Sequence, residues 1–167
     1  MPRHDGANTR YVILIGIAAL LGRLSFSAGV PPDWEWGDAG FYDQIALNLL
    51  AGNGFSVDGV EPTRIRPPTY PVFLAAIYGV VGRNLNAVVF VQSLLGAITC
   101  ILIHWIALHL FGRRAGWVAA VIAVCYPALI YYDTRILREG PTAFLIALTF
   151  WIALKGKRGE WTSARAP

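Results

Sequence analysis

The sequence predicts an all-α fold: a polytopic membrane helical bundle with amphipathic juxtamembrane helices in its first outer loop. Three observations carry that prediction. Of the 167 residues, 56% are hydrophobic and 14% charged, and the mean hydropathy is positive, a balance more apolar than a water-soluble domain of this length sustains. The apolar residues fall into four runs, 11–30, 86–111, 115–132 and 136–154, against the about 20 residues that a helix needs to cross lipid. The 14 Lys and Arg residues sit in small clusters beside those runs, with no basic stripe or aromatic RNA motif, so the net charge of +4 reads as membrane flanks rather than a nucleic-acid surface.

The first run follows Arg3 and Arg10 and has the look of a signal peptide, with Ser25-Phe26-Ser27 as a passable cleavage site. An uncleaved anchor helix is the better reading because further apolar runs follow. Segment 68–82 is ambiguous: short for a span, opened by Pro67-Pro68 and Pro71, and suited to a helix that enters the membrane from one side. Lys and Arg placement decides between the two. If 68–82 crosses, Arg113-Arg114 and Lys155-Gly156-Lys157-Arg158 fall outside; if it does not, they join Arg3, Arg10 and Arg165 in the cytoplasm, as the positive-inside rule requires. In that topology residues 31–85 form a long outer segment and Asp133 to Gly140 a second, short outer loop. The chain is then integral to the cell membrane (inner or plasma), with its acid-bearing loops on the extracytoplasmic side.

Within the first outer segment, Asp33, Glu35, Asp38, Asp43, Asp58 and Glu61 make an acidic stretch. Asp38 to Ala51 has helical spacing, with Phe41, Tyr42, Ile45, Ala46, Leu49 and Leu50 on one face and Asp43, Gln44 and Asn48 opposite, which predicts a helix lying on the membrane surface. Asp38 stands where an N-cap belongs and Gly52-Asn53-Gly54 supplies the stop. Residues 55–66 are turn-rich and aperiodic. Pro127 should kink its helix near the outer end. Residues 1–155 read as one membrane module, and 156–167 as a polar cytoplasmic tail at a point where a longer reading frame is cut short.

Three strings could carry chemistry. Asp38 could take a proton from an incoming hydroxyl just outside the bilayer, or simply cap its helix. Arg66, stiffened by Pro67-Pro68, could bind a phosphate through its planar fork or snorkel to lipid headgroups. Glu139 opens a membrane helix, where the helix dipole favours a carboxylate, and Arg135 or Arg138 could partner it. Asp133 reads as a loop residue, and Arg23 either snorkels or pairs with one of these acids. Cys100 and Cys125 read as buried packing residues with no metal-ligand spacing. His104 and His109 are too poorly aligned for a two-histidine metal site; Gln92, Ser93, Thr99 and His104 suit interhelical hydrogen bonds.

Together these strings resemble the N-terminal part of a GT-C membrane glycosyltransferase of the protein-mannosyltransferase and aminoarabinose-transferase-like group (glycosyltransferase family 39 and relatives). The matching order is Gly37-Asp38 with Tyr42, then Ala46 to Ser56, then Arg66-Pro67-Pro68 with Tyr70-Pro71, then Gln92 to Gly96, then Phe111 to Arg114, and finally Tyr126-Pro127 with Glu139 downstream. The resemblance implies transfer of a hexose or pentose from a polyprenyl-phosphate donor to an acceptor on the outer face. Asp38 would be the base and Glu139 the acid of the second loop. Arg66 and Arg64 would meet the donor phosphate, and Tyr42, Tyr70 and Arg135 would support the substrate loops. Ala39 stands where the family often has a second acid, and a divalent metal is left open. Relatives carry many more helices, so the chain reads as a fragment or incomplete copy.

Two other classes compete. A non-catalytic membrane subunit or scaffold would use the acids as caps and the arginines as headgroup anchors, and it predicts that Asp38, Arg66 and Glu139 do not converge. A transporter fits less well, because few ionisable groups lie within the spans.

Overall fold

A computed structural model describes residues 5–30 and 37–163. The acids Asp33 and Glu35 and the flanking Arg3 and Arg165 lie outside the described residues, as do the side chains of Lys157 and Arg158. Seven helices account for about four fifths of the described chain: α1 Asp5–Gly29, α2 Asp38–Leu50, α3 Thr69–Val81, α4 Leu85–Phe111, α5 Arg113–Cys125, α6 Pro127–Asp133 and α7 Glu139–Ser163. The only strand-like feature among the described residues is an isolated bridge from Ser56 to Pro62.

Segments Arg10–Gly29 and Leu85–Phe111 are long and apolar enough to cross a membrane, and α5 with α6 makes a third such span if the bent pair is taken as one. The protein is therefore an integral membrane protein. The bend, 54° between α5 and α6, has a local cause. Tyr126 precedes Pro127 and adopts an extended backbone, the conformation that a following proline ring imposes. α7 is 25 residues long but has Glu139 at one end of its apolar stretch and Lys155 at the other, and it falls outside that set. α3 has 13 residues, about 20 Å of helix, well short of the about 30 Å of a hydrocarbon core.

α4 is the axis. Its N-terminal end packs with α2 and α3 around Tyr42, Ala46, Tyr70, Leu74, Tyr78 and Val88, and its middle packs with α1 and α5 around Ile15, Ala19, Ala97, Cys100, Ala120 and Ala123. The second cluster is built from small side chains, which let helices approach closely where lipid offers no hydrophobic drive to hold them together. Leu14, Ile17 and Leu21 of α1 are exposed and apolar, as a lipid-facing surface must be.

α2 forms over the expected residues but is seated differently. Tyr42, Ile45 and Ala46 are buried, whereas Phe41 and Leu50 are exposed. Asp43, expected on the outward polar face, is itself buried. It accepts a hydrogen bond from the Tyr78 hydroxyl at 2.8 Å and is gripped by Arg83, Nε at 3.1 Å and Nη2 at 2.9 Å to Oδ2. A paired carboxylate thus welds α2 to the far end of α3, so α2 is seated on protein. The cap also differs from expectation: Gly37, with φ of 69°, occupies the N-cap, and the Asp38 side chain makes no capping bond.

Cys100 is buried as expected, but Cys125 is exposed at the end of α5, where the chain turns away into the Pro127 kink. Asp133, expected in a loop, ends α6 and is buried. It pairs with Arg23 of α1, Nε to Oδ2 at 2.7 Å, and the same guanidinium donates to the Ala19 carbonyl at 3.0 Å. Gly96 and Gly140 make this possible. A Cβ at Gly96 would overlap the Asp133 carboxylate and the Arg23 guanidinium, and one at Gly140 would collide with the other carboxylate oxygen.

Candidate functional site

The candidate site lies where the first turn of α2, the segment leading into α3 and the start of α7 come together. Asp38 opens α2, and since Gly37 has taken the cap, its carboxylate is left to a side-chain partner. That partner is Arg66, whose Nη2 lies 2.5 Å from Oδ1. The Arg66 guanidinium also stacks over the Phe41 ring, 4.9 Å from its centroid. The prolines that follow restrict the backbone behind Arg66, so one arginine is held between an acid and an aromatic face. Both members of the pair remain partly exposed, so the contact is open to competition from an incoming charge.

Tyr42, one turn along α2, is fully buried, with its ring edge-on to Tyr70 at 4.9 Å. Burial pushes its hydroxyl above the ordinary tyrosine value, and four charges act on it: Arg138 and Arg66 pull it down, Asp38 and Glu139 push it up. Among the described residues, neither that hydroxyl nor the buried Arg66 Nε has a hydrogen-bond partner. An unpaired buried donor costs about 1–3 kcal/mol, and both would be satisfied by an anionic oxygen.

Glu139 is the first residue of α7 and sits 3.7 Å from Arg138, in a half-exposed pair that contributes little to stability. Both line the mouth of a groove of about 890 Å³ between α3 and α7, whose other walls include Tyr70, Phe73, Leu95, Phe144 and Ile146. The groove is apolar along its length and charged at one end. That is the shape an amphiphile with a long hydrocarbon tail and a charged head requires.

The remaining sequence candidates separate. Tyr70 is buried and donates to Gln92 Oε1 at 2.6 Å. Arg135 is buried in the second loop with its guanidinium 5.2 Å from the Tyr131 ring centre. Arg64 is exposed and lines a different groove with Phe55, Thr63, Ile65 and Arg66, and Pro67 borders both grooves. Among the described residues, no three His, Cys, Asp or Glu side chains gather as metal ligands, and Asp38 and Glu139 each face an arginine instead. His104 Nδ1 lies 2.9 Å from the Gly116 carbonyl, an interhelical contact.

Sequence reasoning passed over the Asp43–Arg83 clamp and the two glycines beside Asp133. Asp43 falls on the polar side of a helical wheel, and nothing local marks it as buried. The spacing of Gly96 and Gly140 around a buried acid is invisible until the helices are assembled.

Residues 65–163 match the family model described as dolichyl-phosphate-mannose-protein mannosyltransferase. No curated protein and no solved structure matches the chain.

Proposed function

The chain belongs to the dolichyl-phosphate-mannose-protein mannosyltransferase family, and from that premise we propose that it serves sugar transfer from a polyprenyl-phosphate donor to an acceptor hydroxyl at the extracytoplasmic face. The observation that supports this reading is the partly exposed Asp38–Arg66 pair beside Pro67, which borders an apolar groove that Arg138 and Glu139 also line. The hydrocarbon chain lies in the groove, which brings the phosphate to the level of Arg66 and Arg138. The phosphate competes with Asp38 for the Arg66 guanidinium, and an ionised phosphate offers a planar fork two oxygens in place of one.

Once Arg66 turns to the phosphate, Asp38 is freed to act as base. The acceptor oxygen attacks the anomeric carbon and forms the new C–O bond while its proton passes to Asp38. The bond from the anomeric carbon to the phosphate oxygen breaks, and its electron pair stays on the departing lipid phosphate. Arg66 and the Tyr42 hydroxyl stabilise the charge that builds there. Attack from the face opposite the leaving group inverts the anomeric centre. Glu139, at the groove mouth, orients the sugar or the acceptor. Arg64, exposed in the neighbouring groove, approaches the donor phosphate from the aqueous side.

The test is transfer of radiolabelled sugar from polyprenyl-phosphate donors by membranes carrying the chain. Asp38→Asn is expected to lower the rate about 10²- to 10⁴-fold. Unchanged transfer in that variant removes Asp38 from the mechanism. One observation favours a second reading, a structural membrane subunit: Asp38 with Arg66 and Glu139 with Arg138 neutralise one another pairwise. That reading expects donor binding to be absent and unaffected by Arg66→Gln.

A further inference from the structure

The two halves of the candidate site are far apart in sequence, and one buried amide joins them. Gln92 lies on α4 and is fully buried. Its Oε1 accepts from the Tyr70 hydroxyl at 2.6 Å, and its Nε2 donates to the Arg135 carbonyl at 2.7 Å, with the carbonyls of Tyr132 and Asp133 at 3.5 Å. Tyr70 is the second residue of α3, which starts directly after the Arg66-Pro67-Pro68 segment, and the Arg135 carbonyl also accepts from the Leu137 amide at 2.8 Å. That second bond closes the turn leading into Arg138 and Glu139. The amide therefore holds the approach to Arg66 with one end and the approach to Glu139 with the other.

The orientation of this amide follows from its partners. Three carbonyls converge on one end and can only be met by N–H groups, which leaves the oxygen for the tyrosine hydroxyl. A glutamate has the same shape but would turn an acceptor against the Arg135 carbonyl. A leucine would leave the Tyr70 hydroxyl without its acceptor and the Arg135 carbonyl with the Leu137 amide alone. The loop's other anchor, Asp133 with Arg23, fixes where the turn starts but lies six residues before Glu139. Gln92 acts at the turn itself.

We propose that Gln92 is a positioning residue that sets the spacing between the Asp38–Arg66 pair and Glu139, by tying the start of α3 to the 135–137 turn through a single side-chain amide. The inference rests on the proposed transfer reaction for its functional consequence, but not for the clamp. Gln92 touches neither sugar nor phosphate and works through the two backbones it holds.

Two measurements on the whole chain in lipid nanodiscs test it. The first is amide hydrogen exchange across residues 134–140 in Gln92→Glu and in the milder Tyr70→Phe. The expected result is exchange about five- to tenfold faster in that segment in Gln92→Glu, a smaller rise in Tyr70→Phe, and parental rates in α5 in both. Parental exchange at 134–140 in both variants overturns the proposal. So does a uniform rise over all helices in Gln92→Glu with no local rise in Tyr70→Phe. The second is sugar transfer. If Gln92 acts through Glu139, then Gln92→Glu lowers kcat in the parent background and adds little in a Glu139→Gln background, whereas a general packing role predicts additive losses and sinks the proposal. A parent chain that shows the clamp by exchange but transfers no sugar defeats the proposed activity and leaves the clamp standing.

Discussion

Replacing Asp133 by alanine isolates the cost of a buried charge in this bundle. In the native chain the Arg23 guanidinium is fully buried and the Asp133 side chain is 2% exposed, 2.7 Å apart. Without the carboxylate, Arg23 keeps only the Ala19 carbonyl at 3.0 Å and the weak Cys100 sulfur acceptor at 3.6 Å, neither of which carries a charge. Removing one partner of a buried ion pair costs about 3–5 kcal/mol, because the cation stays desolvated and unpaired. For a chain of this size each kcal/mol corresponds to about 2–4 °C, so Asp133→Ala should melt roughly 6–20 °C below the parent. The assay is thermal unfolding in a fixed detergent, run beside Arg23→Leu and the double variant Arg23→Leu/Asp133→Leu. The double variant should recover most of the loss, since no charge then remains without its partner. Two results refute the reasoning. If Asp133→Ala melts within about 2 °C of the parent, the pair is not desolvated. If the double variant melts as low as Asp133→Ala, the cost comes from lost packing and not from the charge.

Gly96→Ala should destabilise the same junction by about 1–3 kcal/mol, because the added methyl overlaps the Asp133 carboxylate and the Arg23 guanidinium; the companion variant Gly22→Ala meets nothing within 4 Å and should melt like the parent. Asp43→Asn removes the charge that grips Arg83 and should cost about 1–3 kcal/mol, the lower end favoured because Arg83 reaches water, read as earlier loss of the α2–α3 contact in urea. Asn48→Ala deletes the amide that donates to the Ser56 and Val57 carbonyls at 3.0 Å each, and limited proteolysis should cut the 55–62 loop faster while sparing α4. The Asp58 carboxyl is held below its ordinary value by hydrogen bonds from the Val60 and Glu61 amides. The stability it lends this turn is therefore complete above the unfolded carboxylate pKa of about 3.9 and fades as pH falls through the lowered folded value; exchange protection of those two amides should follow that course, and protection that persists unchanged well below that range rules the turn out as its source.

What was legible in the sequence is what short-range physics decides. An apolar run of sufficient length becomes a helix in lipid because its backbone has no other hydrogen-bond partners there, so α1 and α4 were readable from composition. Proline geometry breaks a helix whatever surrounds it, so the bend at Pro127 was readable too. Tertiary structure decided which polar groups meet. Asp38 had two local readings, cap or base, and assembly set the cap aside by giving it to Gly37 and bringing Arg66, 28 residues away, to the carboxylate. Arg23 and Asp133 are 110 residues apart, and only the crossing of α1, α4 and α6 at Gly96 lets them touch. Asp43 looks like an ordinary polar residue on its own helix, and Gln92 reads as an interhelical hydrogen-bonder whose partners are not legible; each becomes a clamp only where two other segments converge on it. By itself the sequence determined that this chain lives in a membrane and which residue types stand in the segments between its helices. Which of those residues pair was decided by packing, because a buried charge or amide is stable only beside a partner that the fold supplies.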